Sequence, residues 1–191
     1  MWEVECHDWD TLDGFERPKD VPRLLEKVLR SSNSNQEEWR VPLSLLEAYA
    51  SDLGLPSEAT KDVVACLVAV AIRSEGRKRS ELLGLLAEVT SGRGVEEYNS
   101  CQLTWLRAAA RELVYALHTW TQLAESSSAE DAVACAEILT NCAIYVSEIE
   151  PRVLKYLRLL AADRPELRDE IVALLATLNE TKQVLSKREH V

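Results

Sequence analysis

Methionine and phenylalanine each occur once in the 191 residues, histidine three times, and aromatic residues make up only 6% of the chain. Glycine and proline number six each. A sandwich or barrel needs more β-branched, aromatic and turn-forming residues than this, so the composition argues against a sheet fold. The longest wholly apolar run, Val63 to Ile72, has ten residues, about half of what a membrane-spanning helix requires. The opening Met1-Trp2-Glu3-Val4-Glu5 lacks the order of basic, apolar and small residues that marks a secretory leader. The expected compartment is the cytoplasm, with no membrane partner.

Residues that carry chemistry are equally sparse. Cys6-His7 is the one adjacent pair of zinc-ligand residues, and no second pair completes it. A Gly-rich phosphate loop, a GxSxG elbow and an HExxH helix are all missing. No metal, cofactor or catalytic activity is expected, nor a small-molecule ligand. The five cysteines are an odd number, at 6, 66, 101, 135 and 142. Cys135 and Cys142 share a helix face about 10.5 Å apart, too far to bond each other, and the five cysteines together read as small buried thiols. The alternative to a binding protein is an enzyme, an enzyme subunit or a lyase-type chaperone on a repeat scaffold. That reading needs Cys101, His118 or Cys135 to meet in a cleft with shifted ionisation.

Basic residues are missing from one long stretch. Glu112 to Glu150 contains seven acids and no Lys or Arg, within a chain of 32 acids, 22 bases and net charge −10. That balance disfavours nucleic acid and anionic membrane as partners. Residues 1–20 add seven acids against two bases, while bases gather at Arg73, Arg77, Lys78 and Arg79 and between Arg152 and Arg168. Acidic clusters speed encounter with basic proteins and select against wrong ones, so the expected partner is a basic protein. The candidate docking residues are Glu112, Glu125, Glu130, Asp131 and Glu137, with Trp105 and Trp120 as either core or interface anchors.

What the chain has in quantity is helix. Leu82-Leu83-Gly84-Leu85-Leu86-Ala87 and Ile171-Val172-Ala173-Leu174-Leu175-Ala176 repeat an apolar phrase at helical spacing, as do Val63 to Leu67 and Ala132 to Cys135. Asp20 and Pro22 open a helix that Ser31 to Asn35 stops. A second helix holds Trp39 to Leu53, with Pro42 tolerable only near its start. Ser57 with Thr60 opens a third, apolar on most sides and therefore central. A fourth ends at Ser91 to Gly94, a long fifth runs from Ser100 to Ala124, a sixth reaches Val146, and Pro151 and Pro165 start two more. The expected organisation is an acidic and aromatic segment at 1–19, helical repeats at 20–178 and a polar tail at 179–191, either free or continuing the last helix as a frayed end. Eight helices in about four antiparallel pairs make an all-α fold, a right-handed α-solenoid, with a compact bundle as the structural rival.

Asp20-Val21-Pro22-Arg23-Leu24-Leu25, Ser57-Glu58-Ala59-Thr60 and Arg79-Ser80-Glu81-Leu82-Leu83-Gly84-Leu85-Leu86 resemble the bacterial HEAT-like repeat proteins, and Asp8 to Gly14 is similar to their entry segment. The chain departs from that pattern in lacking, in most repeats, the usual Asp-Pro turn with a following Arg. The resemblance implies a stacked-helix scaffold that holds a protein partner. The sharper expectation is an immunity- or antitoxin-like protein that sequesters a basic toxin.

Overall fold

The computed structural model describes residues 5, 7–9, 20–32, 35–52, 55–91 and 94–189. Among them the chain is all-helical apart from one two-residue ladder. The elements are α1 (Val21–Arg30), α2 (Gln36–Ala50), β1 (Ser51–Asp52), β2 (Leu55–Pro56), α3 (Thr60–Arg73) and α4 (Gly76–Val89). They continue with α5 (Ser100–Tyr115), α6 (Leu117–Ser126), α7 (Ala129–Tyr145), α8 (Glu150–Asp163) and α9 (Arg168–Glu189), with single 3₁₀ turns before α8 and α9. Ser51 pairs with Pro56 and Asp52 with Leu55, antiparallel. No single helix among these is long and apolar enough to cross a membrane; α7 and the segment after it qualify only together and bend by 118° between them.

Leucines at i, i+3, i+4 and i+7 bury one face of α4, where Leu82, Leu85, Leu86 and Val89 all lie in the core. The most enclosed helix is α7. Twelve of its seventeen residues are buried, against eight of fourteen in α3, so the central position expected of α3 belongs chiefly to α7. It packs on α4, α5, α6, α8 and α9. Polar bonds fasten both ends of its contact with α4. Arg79 and Ser80 bond Asp131 at the N-terminal ends, and Asn141 Nδ2 donates to Ala87 O (2.9 Å) at the C-terminal ends. The two helices therefore run in the same direction. So do α6 and α8, since Tyr156 Oη donates to Thr121 O (2.8 Å) and Arg164 farther along donates to Ala124 O and Ser127 O.

Several sequence expectations change. The long fifth helix is two, broken at Ala116 (φ −100°, ψ 16°). There the Leu113 carbonyl accepts both the Ala116 N–H and the Trp120 indole N–H. Pro42 sits inside α2 and not near its start. Its missing N–H leaves the Glu38 carbonyl without its helical donor, and Glu38 is exposed to water. Ser57 and Thr60 do not cap α3 by side-chain bonds. Their hydroxyls donate backwards to Tyr49 O and Ala50 O, the last carbonyls of α2. In the polar tail, residues 179–189 continue the last helix, since α9 runs on to Glu189. Leu185 is buried, Lys182 pairs with Glu150, and Arg188 donates to the carbonyls of Val95 and Tyr98. Of the segment at 1–19, the described residues include a buried Trp9 and His7, whose Nδ1 is 2.6 Å from Asp62 Oδ1 on α3. Trp2 and Phe15 lie outside the described residues.

Candidate functional site

Helical spacing brings two short polar stripes face to face. On α2 the stripe is Arg40, Val41, Ser44 and Glu47; on α4 it is Ser80, Glu81, Gly84 and Glu88. Between them lies a groove of about 710 Å³, floored by the buried Leu43 and Leu85 and closed at one end by Glu130 in the first turn of α7. Val41, 65% exposed, stands on its α2 side.

The groove's charges are unevenly spent. Glu81 is held by Arg40 (3.3 Å) and Arg77 (3.6 Å). Glu47, Glu88 and Glu130 have no basic partner among the described residues. Burial pushes the Glu47 carboxyl above its ordinary 4.5, and the facing Glu88 pushes it further the same way. Two carboxylates thus confront each other across the groove with no cation between them. A side chain held in this way costs stability in its ionised form. Since the folded pKa is raised, the stabilising contribution of Glu47 is full below about pH 4.5 and is lost as pH rises through the folded value. Glu47→Gln should accordingly be more stable than wild type at pH 7, by up to about 1 kcal/mol. The gain should vanish near pH 4, as urea denaturation at the two pH values would record.

The sequence-predicted docking residues do not share one surface. Glu130 joins the groove. Asp131, next to it, is buried in an ion pair with Arg79. Glu112 is half-buried, 3.8 Å from Lys61. Glu125 is exposed on α6, beside a different cleft. Glu137 and Trp105 are half-buried. Trp120 is fully buried and belongs to the core. Adjacent residues on a helix point about 100° apart, so a run of acids in sequence is divided between surface and interior. Sequence reasoning missed Glu47, Glu81 and Glu88. The signal present was a Glu81-Gly84-Glu88 stripe cut into a leucine-rich helix, but the helix that faces it cannot be read from α4 alone.

Cys101, against the expectation of buried thiols, is exposed because it falls in the first turn of α5 on its outer side, and His118 is exposed on α6. Cys135 is buried, and desolvation, then the Asp131 charge, push its thiol up to about 12. Burial does the same to Cys142, also to about 12. Thiols so raised stay protonated at neutral pH and are poor nucleophiles. Among the described residues no group of three or more His, Cys, Asp or Glu is placed to hold a metal ion. No protein-family model, curated protein or solved structure matches the chain.

Proposed function

We propose that the chain is a non-enzymatic protein-binding module, a HEAT-like α-solenoid whose groove between α2 and α4 holds a basic segment of a partner protein. The observation that carries this reading is the unneutralised trio Glu47, Glu88 and Glu130 around an apolar floor. Charge there is complementary to Lys and Arg, and the exposed Val41 and buried Leu85 offer apolar contact to their stems. The solenoid reading draws support from α6 running parallel to α8, as alternate helices do when helix pairs stack.

Gly84 adds a second support. It lies within α4, where glycine costs about 0.5–1 kcal/mol relative to alanine. A Cβ built on it meets nothing within 4 Å. The fold gains nothing from its missing side chain, whereas a partner main chain approaching the groove wall would. An immunity- or antitoxin-like role, in which the partner is a basic toxin, fits such a surface.

The test is an amide NMR titration with octalysine, and with octaglutamate as the opposite charge. Octalysine should move the signals of residues 40–47 and 80–88, and the double reversal Glu47→Lys/Glu88→Lys should abolish the effect. The reversal Asp169→Lys/Glu170→Lys on exposed α9 sites makes the same change in net charge and should not. Shifts spread evenly over all surface acids would mean that the groove is an ordinary solvated face.

A further inference from the structure

A second concavity, of about 390 Å³, lies between α6 and α8 with the underside of α7 as part of its base. Its volume falls within the range of small-ligand sites. Leu117, Leu139 and Val153, all buried, form an apolar floor. Because α6 and α8 run in the same direction, the polar rim has two ends. At one, Arg152 at the start of α8 stands near the level of His118 at the start of α6. At the other, Glu125 lies against the Tyr156 hydroxyl, which itself donates to Thr121 O. His118 and Glu125 are seven residues apart, about 10.5 Å along the helix.

Arg152 and Glu125 line the same cleft, yet they do not pair with each other, and neither has another ion-pair partner among the described residues. The neighbouring charges behave differently: Arg164 pairs with Glu166 and Lys182 with Glu150. The cleft thus presents a cation without an ion-pair partner at one end, a carboxylate against the Tyr156 hydroxyl at the other, and between them an apolar floor flanked by Thr121 and Gln122. A ligand that answers all three has a carboxylate and an ammonium about 10 Å apart and an aliphatic middle. A peptide of about three residues, at 3.3–3.6 Å per residue, has that span. We propose that this cleft binds short peptides with free termini, the carboxylate against Arg152 and His118, the ammonium against Glu125 and an aliphatic side chain on the floor. The site is separate from the α2–α4 groove and stands or falls without it.

The probe is the tripeptide Ala-Leu-Ala, with its N-acetylated and C-amidated forms, titrated into isotopically labelled protein and followed by amide NMR. The free tripeptide should shift residues 117–125 and 152–156 saturably, and each capped form should bind about two- to fivefold more weakly, because it loses one ion pair with an exposed partner. Glu125→Gln should remove the preference over the acetylated form alone, and Arg152→Gln the preference over the amide alone. Both side chains are exposed, so neither change threatens folding. Absence of a saturable shift, a capped form binding as tightly as the free one, or preferences that survive both substitutions would overturn the proposal.

Discussion

Asp131→Ala should lower the unfolding free energy by about 3–5 kcal/mol, the range for breaking a buried ion pair from one side. The side chain of Asp131 is 3% exposed. One of its oxygens accepts from Arg79 Nε (3.0 Å) and Nη2 (2.8 Å), and the other from Ser80 Oγ. Its own N–H donates to Ser128 Oγ, closing the start of α7. Truncation would leave the Arg79 guanidinium, itself half-buried, without its counter-charge, and would free one end of the α4–α7 contact. Glu130→Ala, one residue away and exposed, should cost under about 1 kcal/mol. Replacing both partners, as Arg79→Met with Asp131→Leu, should restore much of the loss, since an apolar pair avoids the desolvation penalty. Urea denaturation of wild type and the three variants measures all of this. Equal, small effects at 130 and 131 would mean that the two acids share a solvated surface after all.

The second large effect is expected at Trp120. Trp120→Ala should cost about 3–5 kcal/mol as a buried aromatic truncation. Trp120→Phe isolates a subtler contribution. It keeps a ring in the core but removes the indole donor to Leu113 O (2.8 Å), the bond that spans the break at Ala116. Trp39 provides the reference, because it is equally buried and its indole N–H has no partner among the described residues. Both Trp→Phe changes remove similar volume, yet only the one at Trp120 removes a hydrogen bond, leaving the Leu113 carbonyl with the Ala116 N–H alone. Trp120→Phe should therefore be the more costly by about 1 kcal/mol, the net value of one such bond. A difference of zero, or of the opposite sign, in denaturant unfolding would show that the break at Ala116 does not depend on the indole.

Much of the helical architecture was legible because it rests on local rules. Leucine spacing in α4, the serines before α7 and the prolines opening α8 and the turn before α9 each determine their neighbourhood within a few residues. The errors came where a distant group decides. Nothing near Ala116 breaks a helix by propensity; its break is coupled to an indole four residues on that reaches back to Leu113. The polar stretch after Leu178 reads as a tail or a frayed helix end with no sign of a docking place, yet Arg188 is tied to carbonyls some ninety residues earlier. The same limit shaped the candidate site. Acidity was legible and its partition was not, since Asp131 is buried by Arg79 from another helix and Glu47 meets Glu88 across a groove. Of the docking residues read from the sequence, Glu130 is the one that the fold places beside those carboxylates.

The central claim, that the α2–α4 groove receives a basic segment, is tested most directly by the rate at which octalysine associates with the protein at low and high ionic strength. Charge steering acts on encounter and is screened by salt. Wild type and the α9 control reversal Asp169→Lys/Glu170→Lys should associate at similar rates that fall steeply as salt rises. Glu47→Lys/Glu88→Lys should associate slowly at low salt and respond little to added salt. If both reversals slow association equally, net charge alone attracts the peptide and the groove has no special part in binding.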